Sequence, residues 1–128
     1  MDLSLFTGKL GEDAVSDYLI KQGFAPVCAN YRSRFGEIDV IAADDEYIVF
    51  VEVKTRSPGS MTGKPREAVD ARKQRKIIQT ALLFLAENPT DLQPRFDVAE
   101  VYISNDPEDY TISYIANAFD SEAFIEAL

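Results

Sequence analysis

The stretch Phe35-Gly36-Glu37-Ile38-Asp39-Val40-Ile41-Ala42-Ala43-Asp44-Asp45-Glu46-Tyr47-Ile48-Val49-Phe50-Val51-Glu52-Val53-Lys54-Thr55-Arg56 decides the fold. Two apolar, β-branched runs flank an acidic turn, the pattern of a β-hairpin. With Asp45 and Glu46 as a two-residue turn, Asp44 faces Tyr47, and counting back along the ladder sets Asp39 opposite Glu52. Side chains alternate between faces, so Lys54 shares a face with Glu52, and the carboxylates of Asp39 and Glu52 both point to it. A three-residue turn would instead shift the pairing and offset the two acids.

Like charges directly opposite across a strand pair destabilise it by roughly 0.2–1 kcal/mol when exposed. Partly buried carboxylates cost more unless they are paired or bound to a metal. A divalent cation turns that repulsion into a site, because hard oxygen ligands suit Mg²⁺ or Mn²⁺. The plain alternative is a hairpin with one solvated polar face, on which Lys54 bridges the two acids. Spacing alone does not separate them.

At 128 residues the chain is long enough for a single compact core and reads as one domain over residues 1–128. The opening Met1-Asp2-Leu3-Ser4-Leu5-Phe6 lacks the basic and apolar regions of a signal peptide. No apolar run approaches the roughly 18 residues a membrane-spanning helix needs. A cytoplasmic protein with no membrane partner is therefore expected. The single cysteine, Cys28, cannot form an internal disulfide and reads as a small buried residue. Histidine is absent. That removes Ser–His and Cys–His catalysis, histidine-ligated zinc and any histidine general base. Hydrolytic chemistry would have to run on carboxylates, lysine and a metal.

The formal net charge of −9 argues against a nucleic-acid partner only if the charge is spread evenly, and it is not. Eight of the thirteen basic residues lie between Lys54 and Lys76, with only Glu67 and Asp70 opposing them. After Arg95 there is no Lys or Arg, while eight acids follow. The basic middle, with Arg56, Lys64, Arg66, Arg72, Lys73, Arg75 and Lys76, is either a phosphate-binding patch or a solvated helix face. Lys73 falls on an apolar stripe, which would bury its stem.

In chain order, Thr7 to Gly23 reads as the first helix, with Thr7 as N-cap and Gly23 just past the end. Leu10, Ala14, Tyr18 and Leu19 form its core stripe, and Glu12 sits near the N-terminus, where the helix dipole favours a carboxylate. Phe24 to Arg32 follows as a strand whose Pro26 suits an edge position. Beyond the hairpin, Ser57 to Gly63 is rich in turn formers and lies where it could close over a ligand. Pro65 suits the first position of a helix from about Arg66 to Glu87, stopped by Asn88-Pro89. Its apolar stripe is Val69, Lys73, Ile77, Ala81, Ile78, Leu82 and Leu85. Strands are expected over Arg95–Ile103 and Tyr110–Ile115, then a short helix from Glu122 to Leu128. The order is α-β-β-β-α-β-β-α, an α/β chain in which a crossover helix makes two strands of a mixed, helix-flanked sheet parallel.

Taken together, Gly11-Glu12, Ala14, Tyr18-Leu19, Asn30, Arg32, Gly36-Glu37-Ile38-Asp39 and Phe50-Val51-Glu52-Val53-Lys54 resemble the YraN-like bacterial family. Pro65, Ala68-Val69, Lys73, Arg95-Phe96-Asp97-Val98 and Asn117-Ala118-Phe119 extend the match over nearly the whole chain. That family is similar to the restriction-endonuclease-like superfamily with its PD-(D/E)XK signature, and to archaeal Holliday-junction resolvases. Ile38-Asp39 stands where the signature has Pro-Asp, and Glu52-Val53-Lys54 stands for (D/E)XK. The resemblance implies that Asp39, Glu52 and the Val53 carbonyl hold Mg²⁺ or Mn²⁺, with Glu12 completing the site. It further implies that Lys54 orients or deprotonates the attacking water. The implied partner is nucleic acid, with DNA favoured and branched DNA among the substrates; a homodimer is compatible with it. A non-catalytic module, binding nucleic acid or a protein through the basic helix, is the other reading.

Overall fold

The structure, a computed structural model, describes residues 3–56, 69–106 and 108–120, with side chains from residue 8 onward. Helix α1 (Leu3–Lys21) leads into strands β1 (Ala25–Arg32), β2 (Glu37–Ala43) and β3 (Tyr47–Arg56). Helix α2 (Ala71–Glu87) then connects to strands β4 (Gln93–Ile103) and β5 (Tyr110–Phe119). The order is the expected one as far as the described residues run. The final helix expected at Glu122–Leu128, the turn-rich segment from Ser57, Pro65 and the basic residues Lys64 and Arg66 lie outside them.

The hairpin has the register that a two-residue turn requires. Ala43 pairs with Ile48, and the ladder continues through Ala42–Val49 and Ile41–Phe50 to Val40–Val51. Asp44 makes the turn without a glycine. Its N–H donates to the Tyr47 carbonyl (3.0 Å), and its Oδ1 accepts from the N–H groups of Glu46 (2.8 Å) and Tyr47 (2.6 Å). A short acidic side chain that captures its own turn amides is what such a tight loop needs.

The five strands of the described residues join one sheet in the order β1-β2-β3-β4-β5. β3 and β4 are parallel with α2 as their crossover, and the other neighbours are antiparallel. The two faces of the sheet bury two separate cores. Ile41, Ile48, Phe50, Phe96 and Val98 pack with Ile77, Ile78, Ala81 and Phe84 of α2. Val40, Ala42, Val49, Val51, Ala99 and Val101 pack with Ala14, Val15 and Leu19 of α1. A strand covered on both faces must be apolar throughout, which is why Ile48 to Val51 shows no polar alternation.

Both helix starts differ from expectation. α1 begins at Leu3, so Thr7 is an interior residue. Nothing in Leu3 to Phe6 breaks a helix, and an interior Thr costs only about 0.7 kcal/mol. Its end is as expected: Gly23 has φ +96°, and Gly23 and Phe24 return their N–H groups to Ile20 (3.0 Å) and Leu19 (2.9 Å). α2 begins at Ala71 rather than near Arg66, because Asp70 caps it and accepts the Lys73 N–H at 2.9 Å. Within α2, Phe84 takes the core position and Leu82 is exposed. β5 continues past Ile115 to Phe119 with Asn117 in the left-handed region at φ +52°.

That Asn117 belongs to a polar cluster built around a buried carboxylate on the α1 side. Asp97, fully buried, accepts two bonds from Arg95 (3.0 and 2.8 Å), one from the Asn117 N–H (2.9 Å) and one from the Tyr114 hydroxyl. A buried carboxylate so completely paired fixes the β4–β5 register around it. Arg95-Phe96-Asp97 and Asn117 thus have a structural explanation.

Gly11 sets how near α1 comes to the far end of β3. A Cβ there would overlap Thr55 Oγ1 and crowd Thr55 Cβ and Cγ2. Gly11→Ala should therefore lower the unfolding free energy by about 1–3 kcal/mol. Thr55→Ala in the same chain should recover part of that loss, beyond additivity, in a denaturant double-mutant cycle. Purely additive effects would mean that the helix simply shifts.

Candidate active site

β2 and β3 part beyond the Val40–Val51 pair. Asp39 comes next, level with Glu52 by the ladder count, and its Oδ2 accepts the Val53 N–H at 2.8 Å. The side chain thus takes an amide that a continued ladder would give to backbone. In an extended strand the N–H and C=O of one residue face the same edge, so the Val53 carbonyl also faces this gap. On the other side of β2, Ala29–Val40 and Tyr31–Ile38 pair around the site, and Asn30 between them has φ +53°. Asparagine tolerates that conformation. It directs Nδ2 to Glu12 Oε2 on α1 at 3.1 Å. Ile38 packs into the α2-side core although Val40 packs on the α1 side, so regular alternation breaks at Asp39.

The parted strands open into a cavity of about 230 Å³ lined by Asp39, Glu52 and Glu37, with Lys73, Lys76 and Ile77 of α2 opposite. α2 is held over it by Thr80, whose buried hydroxyl meets Ser33 Oγ at 2.9 Å in the loop before β2. The buried Glu52 carries two ammonium groups on one oxygen: Lys73 Nζ lies 2.6 Å from Oε1 and Lys54 Nζ 3.6 Å from it.

These contacts divide the proton affinities. Burial, then the charge of Glu52, pushes the Asp39 carboxyl up to about 7, against the pull of the Val53 amide; Glu12 and Glu37 add to the rise. Burial and the adjacent Lys73 ammonium hold Lys54 below the ordinary lysine range, with Glu52 opposing. Burial also acts to lower Lys73, but its close contact with Glu52 outweighs that and raises it. When two ammonium groups share one carboxylate oxygen, the nearer keeps its proton and the farther releases it more readily.

The structure therefore brings Asp39, Glu52, Lys54 and Lys73 together, with the Val53 backbone at the same gap. Glu12 stands off on α1, tied to Asn30, and acts on Asp39 only through its charge. Among the described residues, no three Asp, Glu or Cys side chains gather closely enough to hold a metal ion. Lys76 lines the cavity, while Arg72 and Arg75 are exposed on α2. Arg56 is drawn to Glu100 instead, Nη2 to Oε1 at 3.3 Å, and Tyr102 donates its hydroxyl to the other oxygen. Glu100 is buried and pairs in register with Lys54. Sequence reasoning passed over Glu100, and it named Asn30 only within the family resemblance, with no role for its side chain. An acid inside the apolar run Val98-Ala99-Glu100-Val101 was a usable signal; the left-handed backbone at Asn30, which aims its side chain at Glu12, left none.

In metal-free buffer the Asp39 carboxyl, at about 7 when folded and near its ordinary 3.8 when unfolded, keeps a proton that the unfolded chain has released. Unfolding free energy should thus fall as pH rises from about 4 to about 7 and then level off, by an amount on the order of 2–4 kcal/mol. Asp39→Asn should flatten this dependence and be the more stable protein above pH 7. Urea melts across that range check it; an unchanged slope in the variant would assign the dependence elsewhere.

The model of "Uncharacterised protein family UPF0102" matches residues 11–101. A UPF0102 protein of Desulforapulum autotrophicum is 47% identical over 116 residues, covering 90% of this chain and 93% of the relative. One of Caldanaerobacter subterraneus subsp. tengcongensis is 44% identical over 116 residues, covering 88% and 93%. One of Syntrophotalea carbinolica is 41% identical over 121 residues, covering 94% and 96%. The matched segment contains Glu12, Asn30, Asp39, Glu52, Lys54, Lys73 and Glu100. By this match, the chain belongs to the uncharacterised protein family UPF0102.

Proposed function

We propose that this protein is a metal-dependent nuclease of restriction-endonuclease-like type, in keeping with its resemblance to the YraN-like family, that hydrolyses phosphodiester bonds in nucleic acid. Branched or otherwise structured DNA is the first substrate class to test. One observation carries the reading: Asp39 and Glu52 face one cavity where two strands part, with the Lys54 ammonium on the Glu52 carboxylate. The donor set fits a divalent cation. Two carboxylates and the Val53 carbonyl are hard oxygen ligands for Mg²⁺ or Mn²⁺, and Asp39, held up to about 7 by burial first and then by the charge of Glu52, is a carboxyl that a cation at this place would return to its ionised form.

When bound there, such a cation would lower the pKa of its water and neutralise charge on the phosphate. The remaining work falls to the chain. Lys54 Nζ, held below the ordinary lysine range, orients the attacking water and accepts its proton. Lys76, Arg72 and Arg75 hold the nucleic-acid backbone against α2 by its phosphates. Glu12, steadied by Asn30, adds negative charge at the Asp39 end of the site.

Purified protein with Mg²⁺ or Mn²⁺ and a panel of labelled DNA and RNA structures should give cleavage that both Asp39→Asn and Lys54→Ala abolish. Only Asp39→Asn should also weaken Mg²⁺ binding by calorimetry. An inert wild type that also binds no Mg²⁺ or Mn²⁺ would sink the enzyme reading.

The Lys73–Glu52 contact favours a second reading, in which the carboxylates are neutralised within the protein and the domain only binds. Under either reading, joint replacement of Arg72, Lys73, Arg75 and Lys76 by alanine should weaken nucleic-acid binding. The slope of log affinity against log salt should flatten by roughly 0.9 for each phosphate contact with duplex lost. An unchanged slope would make this face merely solvated.

A further inference from the structure

Lys73 occupies an unusual place for a basic residue. It lies one turn before Ile77 on the face of α2 that meets the sheet, and its N–H is fixed by the Asp70 cap at 2.9 Å. Its side chain therefore enters the cavity from a rigid starting point. The ammonium lies 2.6 Å from Glu52 Oε1 and outcompetes Lys54, at 3.6 Å, for the same oxygen. This oxygen is also one that the proposed metal site needs. A cation and an ammonium cannot both occupy it at bonding distance. Yet the lysine side chain remains 35% exposed, and a flexible four-carbon stem lets it move without disturbing α2.

We propose that Lys73 is a displaceable counter-ion: it neutralises Glu52 in the metal-free protein, and an arriving divalent cation drives its ammonium onto a phosphate of the bound nucleic acid. The inference rests on the metal-site reading above. Its consequence is reciprocal coupling. Metal frees a phosphate-binding charge, and phosphate holds that charge away from Glu52, so each ligand tightens the other by the same factor. Lys76 supplies the neighbouring charge in the same cavity, so a displaced Lys73 joins an existing anion-binding surface.

Mn²⁺ calorimetry on wild type, Lys73→Gln and Lys76→Gln, without nucleic acid, tests the first half. Each variant removes one positive charge from the cavity, so Lys76→Gln measures the general electrostatic effect. Lys73→Gln should bind Mn²⁺ roughly tenfold more tightly than wild type, and clearly more tightly than Lys76→Gln. The second half uses a labelled four-way DNA junction with Lys54→Ala present throughout, to prevent cleavage. Saturating Mn²⁺ should tighten junction binding roughly tenfold when Lys73 is intact, and much less in Lys73→Gln. Should Lys73→Gln fold poorly without metal, its melting temperature should rise more with Mn²⁺ than that of wild type. Equal Mn²⁺ affinities for the two glutamine variants, or a smaller thermal response in Lys73→Gln, would overturn the counter-ion role and leave the metal site standing. No Mn²⁺ binding by any folded variant, wild type included, would overturn the metal site itself and this inference with it.

Discussion

Electrostatic repulsion between Asp39 and Glu52 is the constraint around which the molecule is arranged. Two carboxylates placed level on neighbouring strands, beneath a helix, cannot both stay ionised without compensation. The fold answers in several ways at once. β2 leaves its partner strand, the Val53 amide turns to Asp39, and Lys73 comes down from α2 onto Glu52. Each response costs regularity in the sheet or freedom in a side chain.

α2 is where packing and electrostatics meet. Ile77, Ile78, Ala81 and Phe84 bury its face against the sheet, and Thr80 ties it to the loop that starts β2. The same helix that covers the core thus fixes how far Lys73 and Lys76 stand from the acids. A packing defect beneath Phe84 would be felt as a change in charge geometry about three turns away along the helix.

Much of this was legible in the residues. The hairpin register followed from Asp45-Glu46, because a buried strand tolerates no slip and the Asp44 side chain closes the turn chemically. The central strands and the crossover helix followed from unbroken apolar runs and from Asn88-Pro89. What was not legible depended on long-range contacts. The start of α2 was decided by which polar side chain reached a free amide, and that was Asp70. Lys73 read as an awkward member of an apolar stripe; only the placement of α2 over Glu52 explains why a charge sits there. Arg56 read as part of a basic run, but its position beside β4 hands it to Glu100. Charge counts along a chain do not reveal which charges are already spoken for.

The sheet is also protected at its borders. β1 lies at one edge, where Pro26 has no N–H to offer and the register slips between Pro26 and Cys28. β5 lies at the other, where Asn117 turns out of the extended conformation and the register slips again opposite Phe96 and Val98. Among the described residues, neither border presents a straight, unbroken row of amides and carbonyls, which makes each a poor template for a stray strand. The protein can thus keep an open, charged seam in the middle of its sheet without inviting end-to-end growth into fibres.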